Sequence, residues 1–172
     1  TGVVLYFSDA SWRFGYDNSI MDFIEASHTG MVFVWVAKTH SLELLADGLF
    51  FANDVALHID ESVLYIIASG HSRTLALNLE TNELSTFIHL PGLPDNLFLD
   101  RNGLLWISII SLNNPLVSDL ATYPNIRRWL GGLPTKLIKP NSHYAMTIAV
   151  DTQGVVVHNL QADSGYTQIT TT

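Results

Sequence analysis

The chain has 172 residues, of which 48% are apolar and 14% are charged, and its formal net charge is −8. This length suits one domain with a sizeable core, and no apolar run approaches the roughly 18 residues of a membrane span. A chain this acidic repels phosphate backbones, so we expect no nucleic-acid partner. The absence of cysteine excludes disulfides, zinc-thiolate sites and cysteine nucleophiles.

The N-terminal region contains a strand followed by a helical segment. The opening TGVVLYFSDAS has the pattern of a strand and no charged segment ahead of an apolar run, so it does not predict a signal peptide, and the compartment stays open. The next segment, YDNSIMDFIEAS, places Ile20, Met21 and Ile24 at helical spacing. This spacing predicts a helical insertion over about residues 17–27.

The central region is built from a repeated unit. The stretch NDVALHIDESVLYIIAS, which begins at Asn53, is echoed about 40 residues later by DNLFLDRNGLLWISI, which begins at Asp95. A weaker third copy is MTIAVDTQGVVVHNL, and GVVLYFSDA at the start matches the second half of the unit. Each complete copy is an apolar strand, a polar turn and another apolar strand, which is the pattern of a β-hairpin. The chain is therefore predicted to be all-β, with repeats of the length of propeller blades or solenoid units.

A second helical segment interrupts the strands between the last two copies. NPLVSDLATYPNIRRWLGGL has helical apolar spacing, with Pro115 suited to the first helical position and Gly131 to the end, so it predicts an insertion over about residues 114–132. The insertion is amphipathic and basic, and two interpretations stay open. In the first interpretation, residues 115–133 rest on a membrane surface. In the second, the helix covers one face of the β-sheet domain.

Four stretches of the chain resemble a known family: LYFSDAS, LADGLFFANDVAL, GLPDNLFLDRNGLLWIS and the insertion NPLVSDLATYPNIRRWL. They are similar to the strictosidine-synthase-like branch of the six-bladed β-propellers, and within it to the adipocyte plasma-membrane-associated protein type. The similarity runs over nearly the whole chain. It implies an all-β fold of propeller blades with two helical insertions.

The resemblance also implies a metal site. The superfamily includes paraoxonases, gluconolactonases and regucalcin, which hold Ca²⁺ or a similar divalent ion on the propeller axis and hydrolyse lactones and esters. Their ligand motifs fall here on Asn53 and Asp95, with Asn96 as a third candidate. The starts of successive innermost strands of a propeller converge on its axis, so Asn53 and Asp95 are expected to meet although they are 42 residues apart. Amide and carboxylate oxygens are the ligands that hard divalent cations prefer. The alternative is that these residues form Asx turns that cap the hairpins.

Two positions depart from the family pattern. In the alkaloid-forming synthases a late segment carries an acidic catalytic residue, and the aligned position here is Thr167 in SGYTQITTT. A threonine cannot replace a carboxylate as acid or base, so strictosidine synthesis is not expected. Ser69 stands where many relatives have an acidic residue, which weakens any expectation that this strand supports the metal site.

The number of blades is smaller than a closed propeller needs. At about 40 to 50 residues per blade, residues 1–172 supply about three blades, whereas propellers have at least four and the family implied by the resemblance has six. In such an alignment the relatives' other metal ligands lie before residue 1. We therefore expect a partial β-propeller domain, which either lacks an N-terminal half or pairs with a second copy to form six blades.

Few other residues qualify for chemistry. His71, in ASGHSRT, lies in a loop after an apolar strand and is a candidate general base, with a solvated loop histidine as the alternative. Asp9 either faces the propeller channel or closes a strand-end turn. The chain contains no GxSxG, P-loop or GxGxxG motif and no zinc-type histidine spacing.

These observations leave two main functional hypotheses. The first is a metal-dependent ester or lactone hydrolase that uses Asn53 and Asp95 to hold Ca²⁺, with a small ester or lactone as substrate. The second is a non-catalytic propeller half that acts as a binding or assembly module, with membrane contact through the second insertion as one version. A decayed gene segment with no present activity is a third.

Overall fold

The computed structural model describes residues 2–113 and 145–162. Nearly all of the regular structure in these ranges is β, and the strands lie in three antiparallel sheets. The expected all-β fold of partial propeller blades is confirmed. The strands are β1 Val4–Asp9, β2 Gly30–Val36, β3 Ser41–Leu49, β4 Ala52–Leu57, β5 Val63–Ala68, β6 Arg73–Asn78, β7 Leu84–His89, β8 Gly92–Leu99, β9 Leu105–Leu112, β10 Ala145–Val150 and β11 Val156–Ala162.

Each sheet is an antiparallel meander in sequence order. The first sheet has the order β1-β2-β3, the second β4-β5-β6-β7 and the third β8-β9-β10-β11. Strand β4 of the second sheet contacts both β1 and β8. The two four-stranded sheets therefore have the form of propeller blades whose first strands, β4 and β8, lie side by side.

Strand β5 of the second sheet is buried on both faces. Leu64 and Ile66 of β5 pack in one apolar layer against the first sheet, and the alternating Tyr65 and Ile67 pack in another against the third sheet. Full burial of one such side chain contributes about 1.5 to 3 kcal/mol. This explains why VLYIIA is a continuous apolar run rather than an alternating one.

The outer faces of the first and third sheets are apolar and partly exposed. On the first sheet, Leu5 and Leu42 lie in register with Trp35 and are exposed. On the third sheet, Phe98 and His158 are in register with Trp106, which stacks on the His158 ring. These two outer faces, called the end faces below, therefore carry large apolar and aromatic side chains, as the buried layers between the sheets do.

The hairpin turns share one backbone feature. Glu61, Gly103 and Gly154 occupy the turns before β5, β9 and β11, and their φ angles are 60°, 82° and 77°. Glycine adopts this left-handed conformation without cost, whereas a side chain disfavours it. The repeated unit seen in the sequence therefore corresponds to a repeated turn geometry.

Helical structure in the described ranges lies between β1 and β2. A 3-10 turn at Tyr16–Asn18 leads into α1, Ile20–Glu25, which ends where Ala26 adopts a left-handed conformation. These elements fall within the segment where helical spacing was noted, with Ile24 buried as its apolar position. No helix in the described part of the chain is long and apolar enough to cross a membrane. The second helical insertion, predicted over about 114–132, lies outside the described residues.

Candidate functional site

Asn53 and Asp95 lie in matching irregularities at the start of two neighbouring strands. The pairing of β4 with β5 shifts register between Ala52 and Val55, and the pairing of β8 with β9 shifts between Pro94 and Leu97. Such a β-bulge interrupts the hydrogen-bond ladder and redirects the side chains of the residues it contains. Both candidate ligands are therefore presented by bulges rather than by regular strand.

The structure brings these two side chains into contact although they are 42 residues apart in sequence. The Nδ2 of Asn53 donates a hydrogen bond to Oδ1 of Asp95 at 2.9 Å, across the boundary between the second and third sheets. Both side chains are partly buried. The predicted proximity of the two residues is thus seen directly, and the contact is not an Asx turn within one hairpin.

Asp54, which sequence analysis gave no separate role, is the residue that satisfies the bulged backbone. Its Oδ1 accepts the N–H of Val55 at 2.8 Å, and its Oδ2 accepts the N–H of Leu97 at 2.8 Å on the neighbouring sheet. Donors that lose their ladder partner in a bulge need another acceptor when they are buried. Asp54 thus accepts one backbone hydrogen bond from its own strand and one from the neighbouring sheet, and so connects the two sheets.

Two buried serines hold the bulge that contains Asp95. The Oγ of Ser69 donates to the carbonyl oxygen of Pro94 at 2.7 Å, and the N–H of Asn96 donates to Oγ of Ser108 at 3.0 Å. Both serines have an exposed fraction of 0%. The serine at position 69 weakens the sequence-based expectation that this strand supports the metal site. The structure shows that Ser69 contacts the backbone directly before Asp95.

Asn96, the third candidate ligand, occupies the same bulge as Asp95. Its backbone N–H donates the hydrogen bond to Oγ of Ser108 described above, and its side chain is partly buried. Asn96 thus lies next to the contacting pair.

His71 lies at the surface in a 3-10 turn, Ser69–His71, that follows β5. Partial desolvation lowers its pKa, and the nearby Arg73 and His28 lower it further. The Nη2 of Arg73 is 3.4 Å from Nδ1 of His71, and since a guanidinium only donates, the neutral ring accepts at Nδ1 and carries its proton on Nε2. Through Ser69, this turn is joined to the Asp95 bulge.

Asp9 occupies the last position of β1 and is engaged in a local turn. Its Oδ1 accepts the N–H of Ser11 at 3.2 Å. This contact corresponds to the strand-end alternative for Asp9. It gives no direct indication of a catalytic role.

A buried carboxyl group that the sequence did not indicate lies beside this turn. Asp22 of α1 is 1% exposed, and its Oδ1 accepts hydrogen bonds from Oγ of Ser11 at 3.0 Å and Oγ1 of Thr29 at 3.3 Å. Burial raises the pKa of this carboxyl, and the hydroxyl hydrogen bonds partly oppose the increase. No pattern in YDNSIMDFIEAS marks Asp22, because its partners Ser11 and Thr29 lie outside this segment.

The donor atoms at the contacting pair suit a hard cation. An amide oxygen and a carboxylate are ligand types that Ca²⁺ prefers, and Ca²⁺ takes six to eight oxygens. Within residues 2–113 and 145–162 no group of three His, Asp or Glu side chains is close enough to hold a metal. The donor types of Asn53 and Asp95 therefore fit part of a calcium site.

Comparison with known proteins gives both sequence and structural relatives. Residues 1–76 match the family model described as strictosidine synthase. The strictosidine synthase-like protein 4 of Arabidopsis thaliana is 32% identical over 109 residues, which are 63% of this chain and 30% of that protein. The adipocyte plasma membrane-associated protein of Danio rerio is 25% identical over 175 residues, covering 95% of this chain and 42% of that protein. The chain thus spans well under half of these relatives.

Two solved structures share the fold at low sequence identity. A luciferin-regenerating enzyme superposes with a TM-score of 0.56 at 16% identity, covering 92% of this chain and 42% of that one. The calcium-binding protein regucalcin from Agrobacterium tumefaciens superposes with a TM-score of 0.50 at 12% identity, covering 77% and 37%. The resemblance to the strictosidine-synthase-like and adipocyte plasma membrane-associated type of β-propeller is therefore confirmed.

Proposed function

We propose that this chain is part of a metal-dependent ester or lactone hydrolase of the propeller type, in which Asn53 and Asp95 help to hold Ca²⁺. The observation that carries the proposal is the 2.9 Å contact between these two side chains, at equivalent bulges of neighbouring sheets. The similarity in fold to a protein described as a calcium-binding regucalcin supports the choice of ion. Since the chain spans 30 to 42% of these relatives, the remaining ligands would come from residues outside it.

The chemistry follows from the groups at the site. A bound Ca²⁺ would polarise the carbonyl of a small ester or lactone toward attack by water. Asp95 supplies negative charge that attracts the cation, and the hydrogen bond from Asn53 orients that carboxylate. Asn96, on the same bulge, is the third residue placed to contribute an oxygen.

His71 is the candidate base for activating water. Its lowered pKa keeps the imidazole neutral at pH 7, which is the state that accepts a proton. The contact with Arg73 occupies Nδ1, so proton transfer to that atom requires the ring or the guanidinium to turn away. A base supplied from outside this chain is the alternative, and the His71→Asn variant separates the two by its effect on turnover at saturating metal.

The direct test removes the charged ligand. Asp95→Ala in the intact protein is expected to weaken calcium binding at least tenfold in isothermal titration, and to lower hydrolysis of phenyl acetate in parallel. Asp17→Ala, which removes an exposed carboxylate in the 3-10 turn before α1, is the matched control and is expected to change neither. Unchanged calcium affinity and unchanged hydrolysis in Asp95→Ala would rule out the proposed function.

A second candidate function is a binding or assembly module without catalysis. The observation that favours it is the pair of apolar end faces, on which Leu5, Leu42 and Phe98 are exposed. These faces fit the neighbouring blades of a closed propeller, supplied by a missing half or by a second copy of this chain. Native mass spectrometry with calcium distinguishes the two sources of these blades. A dimer with one ion per pair supports closure by two copies of the chain, and a metal-free monomer excludes closure by two copies.

The sequence alone supports one narrower function and argues against another. Contact of the basic insertion, residues 115–133, with anionic lipid is testable by co-sedimentation with phosphatidylserine vesicles, where no pelleting beyond that seen with neutral vesicles would exclude it. Strictosidine synthesis is not proposed, because Thr167 stands at the position of the acidic catalytic residue.

A further inference from the structure

Side-chain hydrogen bonds support the bulge that carries Asp95, where the ladder between β8 and β9 is interrupted. Between Pro94, which pairs with Ile109, and Leu97, which pairs with Ile107, Asp95 and Asn96 have no register partner on β9, and side chains bind the backbone of this stretch. Pro94 O is bound by Ser69, Asn96 N–H by Ser108 and Leu97 N–H by Asp54. The path of the backbone on both sides of Asp95 is therefore set by three side-chain contacts.

Two of these three contacts come from the neighbouring sheet. Asp54 lies on β4, and Ser69 lies in the 3-10 turn directly after β5, whereas Ser108 belongs to the same sheet as the bulge. Asn53, which contacts Asp95 itself, is also on β4. The second sheet thus positions the bulge from both ends.

The contact made by Ser69 is the most demanding of the three. Its hydroxyl is fully buried and donates at 2.7 Å to the carbonyl of Pro94. Since the nitrogen of proline carries no hydrogen, the carbonyl is the only backbone polar group with which residue 94 can be held. Removing the hydroxyl takes a buried hydrogen bond from the carbonyl directly before Asp95, which is expected to let the bulge shift.

We propose that Ser69 is a positioning residue for the Asn53–Asp95 site: its hydrogen bond to Pro94, together with the Asp54 bridge to Leu97, holds the Asp95 carboxylate in the orientation that a divalent cation requires. The inference rests on the proposed function for the identity of the ligand. It assigns to Ser69 a contribution to affinity although the residue does not touch the ion. Groups that orient metal ligands in this way typically change affinity by about 10- to 100-fold when they are removed.

The test compares two buried hydroxyl groups in the intact protein. Ser69→Ala removes the hydroxyl that holds Pro94, and Thr74→Val removes a hydroxyl on β6 that is also 0% exposed and has no hydrogen-bond partner among the described residues. Calcium affinity is measured by isothermal titration, and the side-chain amide resonances of Asn53 are followed by NMR without metal. We expect Ser69→Ala to weaken calcium binding about tenfold and to shift the Asn53 resonances, and Thr74→Val to do neither.

The outcomes separate this inference from the proposed function. Wild-type protein that binds calcium, with Ser69→Ala binding equally well, would overturn the positioning role and leave the metal site in place. Wild-type protein that binds no calcium would rule out the proposed function. The NMR measurement without metal then tests whether Ser69 positions the Asp95 bulge. Shifted Asn53 resonances in Ser69→Ala would support the positioning contact, and unshifted ones would overturn it.

Discussion

Gly70 lies between two residues of the candidate site, Ser69 and His71, and its lack of a side chain is required by the packing around it. A Cβ placed on Gly70 would fall against Cγ, Cδ1 and Cδ2 of Phe50, well inside the 3.0 Å below which such contacts are essentially never seen. The ring therefore rests directly on the glycine backbone. Gly70→Ala forces one of the two to move.

The ring has little room to move. Phe50 is 8% exposed, and its ring lies 5.7 Å from the Phe23 ring, 5.3 Å from His28 and 5.4 Å from His71, measured between centroids. Forced overpacking of this kind costs about 1 to 3 kcal/mol. The alanine also restricts the unfolded chain, which returns about 0.4 to 1 kcal/mol. The net expectation for Gly70→Ala is a loss of about 1 to 2 kcal/mol in the free energy of unfolding.

Urea unfolding followed by circular dichroism measures this loss in the intact protein, with Gly15→Ala as the matched control. Gly15 has a φ of −72°, and no atom lies within 4 Å of the position that a Cβ would take there, so its substitution should be neutral or stabilise by up to about 1 kcal/mol. A double variant with Phe50→Leu tests the cause, because a smaller side chain at residue 50 should reduce the cost of the new methyl group. Gly70→Ala as stable as Gly15→Ala would refute the packing argument.

Two further predictions concern titration and turn strain. Burial raises the pKa of Asp22, so its contribution to stability is complete below the unfolded-state pKa of about 4 and is lost as the pH rises through the higher folded-state pKa. Asp22→Asn should therefore gain stability relative to wild type as the pH rises from about 4 to 7, and parallel pH profiles would contradict this. Glu61→Gly should stabilise by about 0.5 to 1 kcal/mol in thermal unfolding, because the φ of Glu61 is 60° where the equivalent Gly103 has 82°. Gly103→Glu is the reciprocal control and should destabilise by about the same amount, so equal signs for the two changes would contradict the assignment.

The hairpins could be predicted from sequence because their signal is local. In the sequence, the apolar strand Val63–Ala68 follows a polar turn, and so does the apolar strand Leu105–Leu112. The structure gives both segments the same strand-turn-strand geometry. The meeting of Asn53 with Asp95 followed from the repeat, since equivalent positions of adjacent blades lie side by side. The match therefore needed no knowledge of individual contacts.

The supports of the site could not be predicted in this way. A β-bulge depends on the register of the partner strand, which FFANDVAL alone does not reveal. The sequence therefore does not distinguish Asn53, which contacts the side chain of Asp95, from Asp54, which accepts the backbone N–H of Leu97. In the sequence, Ser69 differs from the acidic residue of many relatives, and this difference only weakens the expectation that the strand supports the site. Its role depends on the position of the Pro94 carbonyl, which becomes defined only when the two sheets pack.

The site and the apolar layer between the second and third sheets therefore form one structural unit. The contacts of Asn53, Asp54 and Ser69 with the Asp95 bulge cross the same boundary that Tyr65 and Ile67 fill from one side and Ile107 from the other. Interiors of this kind are close-packed and do not deform continuously, so the distance between Asn53 and Asp95 is determined by how the two sheets pack. Because Asn53 lies on β4 of the second sheet and Asp95 on β8 of the third, the two halves of the site lie on different repeats, and neither repeat alone can define the geometry that a cation would require.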